Sequence, residues 1–301
     1  MKKINNQWIC GIVDAEGNFN VNLSSKNKLT FSFKVTQKYT SIEILNNLKN
    51  YFKIGNIFID NRKTEGMKYV IQNIKDIEKV VIPFFDENPL TTSKQLDFVD
   101  FKEIFILYKN TSKLDYNYIN KKIKNMNNGR SWEERYDYYS NKELNLSKEW
   151  TTAFIDGEGC FYYYLSKSIK NNKTIYQNQP SLEISQSSHS VKLLNAIKGV
   201  FNNYGYLSPK YNINDKNLAK NSRSVNRLKI RQVDEIINLF DKYPLYSYKK
   251  YDYINWKKLI LLKNKKRYTS PEGFLEMKKI KNSINKKELI NSNFIDFLKN
   301  R

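Results

Sequence analysis

The sequence predicts an α+β fold built from two pseudo-symmetric copies of one domain, each with the element order αββαββα. Three observations predict it: a repeat that spans the chain, strand segments in which apolar and polar residues alternate, and a large positive charge. The alternation is typical of an antiparallel sheet that packs one face on a core and leaves the other face uncovered. We therefore expect two open antiparallel sheets in one chain.

The repeat is clearest in two windows, one near the start of each half. Residues 8–19 read WICGIVDAEGNF and residues 150–161 read WTTAFIDGEGCF, so Trp, Asp, Glu, Gly and Phe recur in register. Further matches follow, among them Pro-Leu-x-x-x-Lys at residues 89–94 and 244–249. A repeat of this length indicates two structural units. We predict a first domain over residues 1–126, a polar linker over 127–147 and a second domain over 148–301.

Within each copy the elements follow in a fixed order. A short helix over residues 7–15 leads into a strand whose inner face carries Phe19, Val21 and Leu23. A second alternating strand, a helix near 40–52, two strands near 56–73 and helices near 74–85 and 91–109 complete the first copy. The second copy repeats the plan, with Phe161, Tyr163 and Leu165 on the inner face of its first strand.

The charge points to a polyanionic partner. Lysine and arginine total 52 against 30 aspartate and glutamate, which gives a net charge of +22. This favours nucleic acid first and an anionic membrane surface second, but the lysines are spread along the whole chain rather than gathered on one amphipathic helix. That spread argues against a membrane partner, and no apolar run approaches the ~20 residues that span a bilayer.

Composition excludes several other classes of protein. An apolar content of 40%, with 14% aromatic residues, is too high for a disordered basic tail. Two cysteines and one histidine exclude a disulfide scaffold, an all-cysteine zinc site and a histidine-rich metal cluster. The start lacks the apolar core of a signal peptide, and abundant Asn, Lys, Ile and Tyr indicate an A/T-rich, organellar genome. We expect a soluble, intracellular protein.

Small residues are rare here, so their positions are informative. Gly11 and Ala15 lie four residues apart on the first helix, as do Ala153 and Gly157 on its counterpart, so each pair shares one helix face. A face of small residues lets two helices approach closely. We predict that these two helices pack directly on one another and join the domains.

Each of these helices closes with an acid, Glu16 in the first and Glu158 in the second. A carboxylate at this end faces the negative end of the helix dipole, which costs about 0.3–1 kcal/mol. A divalent cation between the two acids would explain the arrangement, because hard cations bind carboxylate and free carbonyl oxygens. Two acids and metal beside basic, open sheets predict phosphodiester hydrolysis. Asp14 and Asp156 lie on the opposite side of each helix, and we expect them to hydrogen-bond within their own domains.

Residues 9–17 and 151–159 resemble the two motifs of the LAGLIDADG homing endonucleases. The likeness is to the single-chain, two-repeat class encoded in mobile introns, and it covers essentially the whole chain. The departures from the motif are Ile9 and Thr151 for its leading Leu, Cys10 and Thr152 for its Ala, and Glu for its final Asp. The last change keeps the carboxylate.

The resemblance implies a fold, a cofactor and a reaction. The sheets would be saddle-shaped, and the protein a monomer in a mitochondrion or another organelle. Each motif acid would bind Mg²⁺ at the domain interface with help from the backbone carbonyl of Ala15 or Gly157, and Ca²⁺ could fill the site without supporting cleavage. Water would then attack one phosphate on each strand of double-stranded DNA across the minor groove and leave short 3′ overhangs.

The resemblance also implies roles for two further pairs of residues. Gln37 and Gln186 would orient water or metal, and Lys94 and Lys249 would stabilise charge near the scissile phosphates. The outer faces of the two sheets would lie in the major groove, where Glu183 could accept a hydrogen bond from cytosine. Unequal side chains at matching positions predict an asymmetric target. The candidate DNA contacts are Asn20, Asn22, Ser24, Lys26, Lys28, Ser32, Lys34 and Thr36 in copy one, and Tyr162, Tyr164, Ser166, Lys167, Glu183, Arg227, Lys229 and Arg231 in copy two.

Two other functions remain open from the sequence. The first is an RNA maturase that assists splicing of the host intron, with or without retained DNA cleavage. The second is a DNA-binding transcriptional regulator with the same fold. Neither splicing assistance alone nor transcriptional regulation needs the motif acids, and both acids are present here, so we favour the endonuclease and leave a dual role in splicing open.

Overall fold

The computed structural model describes residues 4–211, 224–285 and 294, and every structural statement below refers to them. The first half contains α1 (Asn6–Glu16), β1 (Gly17–Leu23), β2 (Leu29–Lys38), α2 (Ile42–Phe52), β3 (Asn56–Asn61), β4 (Gly66–Ile71), α3 (Ile74–Asp76), α4 (Ile82–Glu87), α5 (Lys94–Asn110), α6 (Tyr116–Asn125) and α7 (Trp132–Ser140). The second half contains α8 (Lys148–Glu158), β5 (Gly159–Lys170), β6 (Lys173–Ser187), α9 (Val191–Val200), β7 (Tyr206–Tyr211), β8 (Val225–Ile230), α10 (Val233–Lys242), α11 (Lys249–Asn264) and α12 (Pro271–Ser283).

Each half carries one four-stranded antiparallel sheet. The strand orders are β1-β2-β4-β3 and β5-β6-β8-β7, so the two halves share one topology. The predicted inner faces are buried: Phe19 is 1% exposed, and its counterpart Phe161 is fully buried. Helices pack on these apolar faces and leave the opposite faces open. The predicted α+β fold of two repeated domains is confirmed.

The first helices of the two halves, α1 and α8, pack directly on one another. A Cβ atom on Gly11 would lie 2.3 Å from the carbonyl oxygen of Trp150, and one on Gly157 would lie 2.5 Å from the Cβ of Ala15. Only glycine allows such an approach, because any side chain would overlap the opposite helix. The predicted close packing of the two helices is confirmed, and it places the C-terminal ends of both helices beside each other.

The segment predicted as a polar linker, residues 127–147, includes a helix with buried contacts. Helix α7 lies within it, and Arg130 just before that helix is buried. The Arg130 guanidinium pairs with Asp97 at 3.0 Å and also with Asp100, both on α5. A buried charge is tolerated because it is paired in this way.

The structure also shows that Asn127 completes the first domain. Its side-chain amide donates to the carbonyl of Phe19 at 3.0 Å, as that of Asn285 donates to the carbonyl of Phe161 at 3.0 Å. The repeat therefore continues past residue 126.

None of the helices in the described part of the chain combines the length and the apolar character needed to cross a membrane.

Candidate active site

Two buried aspartates fix the loops that precede the lysine-bearing helices α5 and α11. Asp14 accepts hydrogen bonds from the backbone amides of Thr91 and Thr92, both at 2.9 Å. Asp156 accepts from the amides of Tyr246 and Ser247. Burial raises the pKa of both carboxyls, and these hydrogen bonds oppose the shift. The expectation that both aspartates bond within their own domains is confirmed.

Asp14 also makes a contact between the domains that the sequence did not predict. The indole N–H of Trp150 donates to its Oδ2 at 2.8 Å, across the interface of α1 and α8. Trp8 is the matching residue of the first copy, and its indole nitrogen is buried without a hydrogen-bond partner among the described residues. The two halves are therefore not equivalent at this point.

The predicted acids meet where α1 and α8 end. Glu16 is half-buried, while Glu158 is exposed. The Cβ position of Gly157 lies 3.4 Å from Oε1 of Glu16, so the end of α8 contacts that carboxylate. Partial desolvation raises the pKa of the Glu158 carboxyl, and the charge of Glu16 raises it further, whereas Lys94 and Lys249 oppose the shift. The two carboxylates are thus held close together at the seam, the place where the C-terminal ends of α1 and α8 meet.

The two predicted lysines contact the ends of these helices directly. The Lys94 ammonium donates to the carbonyls of Val13 at 3.1 Å and Ala15 at 2.9 Å. The Lys249 ammonium donates to the carbonyls of Asp156 at 2.8 Å and Gly157. Burial lowers the pKa of both ammonium groups, and the surrounding carboxylates oppose this.

These contacts change one expectation drawn from the sequence. The carbonyls of Ala15 and Gly157 were expected to be free for a cation, but each accepts a hydrogen bond from a lysine. A carbonyl oxygen has two lone pairs, so each keeps one acceptor site.

The predicted glutamines lie beside the acids but differ in their bonding. The Gln186 side chain hydrogen-bonds to Glu158, which lowers the pKa of that carboxyl. The side-chain nitrogen of Gln37 is buried, with no hydrogen-bond partner among the described residues. Gln37 and Glu16 line an open cleft of about 640 Å³, and Gly157 and Lys249 of the second domain line the same cleft. A buried donor without a partner at the wall of a cleft is typical of a site that is completed by a ligand.

The donor set fits a hard divalent cation. In the described part of the chain, no three His, Cys, Asp or Glu side chains converge to enclose a metal. Mg²⁺ needs no such cage, because it keeps several waters and takes one or two carboxylates together with phosphate oxygens. Glu16, Glu158 and the remaining lone pairs of the Ala15 and Gly157 carbonyls are ligands of this kind.

Most of the predicted DNA contacts lie on the open faces of the sheets or in the turn between β1 and β2. Those exposed are Asn22, Lys26, Lys28, Thr36, Tyr162, Tyr164, Lys167 and Arg231, and those half-buried are Asn20, Ser24, Lys34, Ser166, Glu183, Arg227 and Lys229. Ser32 departs from the prediction because it is only 9% exposed. Its short side chain lies opposite Asn20 within the sheet. Arg231 lies just beyond the end of β8.

Glu183 is engaged by neighbours on its own sheet. Lys229 lies 2.7 Å and Arg227 lies 3.3 Å from its carboxylate oxygens, and the Lys229 ammonium also lies over the ring of Tyr162 at 5.2 Å. The carboxylate is therefore already paired, which does not favour the expectation that it accepts from cytosine.

Some exposed residues of the same faces were missed by the sequence reasoning. Residues directly opposite each other in a ladder point to the same side of a sheet. Thr30 lies opposite Asn22, Phe58 lies opposite Lys68, and Tyr206 lies opposite Lys229. Tyr206 is 68% exposed. The alternation in β2, β3 and β7 could have identified these positions.

The fold is a duplicated one with a single shared site. Two open sheets are joined through α1 and α8, and each of these helices contributes one acid at the seam. The chain belongs to the LAGLIDADG endonuclease family, because the sequence model of that family matches residues 9–105 and 152–260. Both matched stretches contain one of the two acid-bearing helix ends.

Individual relatives agree with this assignment. A probable intron-encoded endonuclease, aI3 of Kluyveromyces lactis, is 28% identical over 287 residues, which cover 83% of this chain and 63% of that protein. The chain spans about half the length of other curated relatives that it matches. The LAGLIDADG homing endonuclease I-LtrWI, solved bound to target DNA, superposes with a TM-score of 0.76 at 26% identity, covering 93% of this chain and 97% of that one. I-SmaMI, solved bound to an uncleaved DNA target with calcium ions, superposes with a TM-score of 0.77 at 24% identity, covering 94% of this chain and all of that one.

Proposed function

We propose that this protein is a site-specific homing endonuclease that makes a metal-dependent double-strand break in a long, asymmetric DNA target. The observation that carries the proposal is the meeting of Glu16 and Glu158 at the seam between two open sheets. A pair of repelling acids at helix ends costs stability, so an arrangement built twice in one chain favours a functional demand. The solved structure of the related I-LtrWI bound to its target DNA supports the same partner.

Mg²⁺ is the proposed cofactor, held by Glu16 and Glu158 with the Ala15 and Gly157 carbonyls. When bound, the metal would supply Lewis-acid activation of water and neutralisation of charge on the phosphate. Ca²⁺ would bind the same oxygens and hold DNA without supporting cleavage. I-SmaMI, which shares the fold, was solved with calcium ions and an uncleaved DNA target, in agreement with this expectation.

The residues around the acids would position the DNA and the attacking water. Gln186, bonded to Glu158, and Gln37, with its unpaired amide nitrogen, would orient water on the two sides of the seam. Lys94 and Lys249 hold the helix ends by their carbonyls and place two positive charges beside the acids. Those charges would stabilise negative charge that develops on each scissile phosphate.

The open sheet faces would read the target, and the two faces differ in chemistry. The first presents amide and hydroxyl groups, such as Asn20, Asn22 and Thr36, whereas the second presents tyrosines and the Glu183 cluster. Such faces cannot read the same bases, so the target would be asymmetric.

The break would leave short 3′ overhangs, and the protein would act as a soluble monomer in a mitochondrion. The domains remain a proposal, residues 1–126 and 148–301, with Asn127 added to the first because its side chain bonds to Phe19.

The test is cleavage of a plasmid that carries the intron-insertion site of the host gene. With Mg²⁺ we expect a linear product, and with Ca²⁺ we expect binding without cleavage. Glu16→Gln and Glu158→Gln should abolish double-strand cleavage while leaving the fold intact. Glu272→Gln, the same change at an exposed residue of α12, is the matched control and should cut normally. Double-strand cleavage that survives either motif substitution would overturn the assignment of the acids.

A further inference from the structure

The segment between the domains makes a contact that the pseudo-symmetry of the two halves does not provide. Ser93 and Tyr248 occupy matching positions, each one residue before the lysine of its helix. The backbone amide of Tyr248 donates to the hydroxyl of Ser41, in the opposite domain, at 3.1 Å. Symmetry would pair the amide of Ser93 with Ser190, the counterpart of Ser41. It donates instead to the hydroxyl of Tyr139 on α7, at 3.3 Å.

Tyr139 stands between the two groups that are in direct contact in the other half. Its hydroxyl also hydrogen-bonds to the Ser190 side chain, and its ring stacks on His189 with the centroids 6.2 Å apart. The side chain is 3% exposed, so it is held on all sides. The start of α5 is thus connected to the second domain through a residue of α7, whereas the start of α11 contacts the first domain directly.

Helix α7 is fixed to this loop by more than one bond. Arg135 donates to the Ser93 hydroxyl at 3.1 Å, and Tyr138 donates to the Leu90 carbonyl at 3.0 Å. On its other side, the Trp132 indole N–H donates to the Ser188 hydroxyl at 3.3 Å. The helix therefore bridges the loop before Lys94 and the second domain.

We propose that Tyr139 is a positioning residue for Lys94, so that α7 sets the geometry of one half of the active site and not of the other. This inference rests on the proposed endonuclease function and on the role of Lys94 within it. Tyr139 acts through Ser93, which precedes Lys94, and Lys94 in turn contacts the carbonyls of Val13 and Ala15 at the end of α1. Loss of the Tyr139 hydroxyl should disturb the lysine that serves one DNA strand and spare the other.

The experiment measures the cleavage rate of each strand separately, on a duplex target labelled differently on its two strands, with enzyme in excess. Lys94→Met and Lys249→Met first establish which strand depends on which lysine. Tyr139→Phe, which keeps the ring and removes the hydroxyl, should slow the Lys94-dependent strand about 2- to 12-fold, the range expected for one lost neutral hydrogen bond. The other strand should be cut at its normal rate, and nicked DNA should accumulate.

Ser41→Ala is the matched variant of the other half, and it should slow the Lys249-dependent strand instead. Thermal unfolding of both variants separates a local effect from a loss of folded protein. Equal slowing of both strands by Tyr139→Phe, or no slowing of either, would overturn the proposal. So would lysine variants that show no strand preference. Failure of the proposed function would be seen earlier and separately, because the unaltered chain would then leave the target uncut.

Discussion

The interface between α1 and α8 allows a quantitative test with the substitution Gly11→Ala. The added Cβ would lie 2.3 Å from the Trp150 carbonyl oxygen and 2.9 Å from the Ala153 Cβ. The first distance is roughly 1 Å short of an ordinary contact. The nearest atom belongs to the backbone of the opposite helix, so no side-chain rotation relieves the overlap, and the two helices must separate.

The expected cost follows from two opposing effects. Overpacking of a well-packed interface by one methyl group costs about 1–3 kcal/mol, whereas alanine is favoured over glycine within a helix by up to about 1 kcal/mol. We expect a net destabilisation of up to about 2 kcal/mol, which lowers the melting temperature by about 2 °C for each kcal/mol in a chain of this size. Separation of the helix ends on the scale of 1 Å would also misplace the acids, with a loss of cleavage rate approaching ~100-fold.

Urea unfolding and single-turnover cleavage measure the two effects. Gly199→Ala is the matched control, because Gly199 lies in α9 and an added Cβ would meet no other element of the described residues within 4 Å. That substitution should be neutral or stabilise the protein by up to about 1 kcal/mol. If Gly11→Ala unfolds at the same urea concentration as the unaltered protein and cuts at the same rate, the close packing of α1 on α8 is refuted.

Three further predictions concern the acids and the interface. Folding raises the pKa of the Glu158 carboxyl, so the folded protein loses stability as pH rises from the unfolded to the folded pKa of that group. Glu158→Gln should therefore raise the melting temperature at pH 7 and have no effect below pH ~4. An unchanged melting temperature at pH 7 would contradict this. Glu183→Gln frees the charges of Lys229 and Arg227. Binding to random DNA should then tighten and depend more steeply on salt, and competition between random and target DNA measures the loss of specificity. Unaltered salt dependence would show that these three side chains do not face DNA. Trp150→Phe removes the hydrogen bond to buried Asp14. In urea unfolding it should cost about 1–3 kcal/mol more than Trp8→Phe, because the Trp8 indole nitrogen has no partner among the described residues. Equal costs would show that the Trp150–Asp14 hydrogen bond does not stabilise the protein.

The features that the sequence predicted are those written in local patterns. Alternation of apolar residues placed Phe19 and Phe161 on inner faces, and both are buried. The spacing of Gly11 and Ala15 identified a helix face whatever partner it would meet. Such patterns involve only a few neighbouring residues, and each pattern occurs again in the second copy of the repeat, which supports the same prediction independently.

The contacts that escaped prediction depend on groups distant in the chain. Lysine is so abundant that spacing alone could not show that the Lys94 and Lys249 ammonium groups bond to the ends of α1 and α8. The linker was interpreted from its polar composition, although Ser131 and Glu134 form a capping box that marks the start of α7. The role of Tyr139 has no sequence signal at all, because it arises where the two copies stop being equivalent.

The lysines at the seam show why stability and activity must be measured together in this site. An α-helix ends with carbonyls that no residue of the helix can satisfy. Lys94 supplies donors to two of them at the end of α1, and its charge offsets both the helix dipole and the nearby acids. Its removal would therefore weaken the helix end and alter the chemistry at once, so a lost activity alone cannot separate the two. A slower cleavage of one DNA strand at unchanged thermal stability does separate the two effects, because unfolding of the protein would slow cleavage of both strands equally.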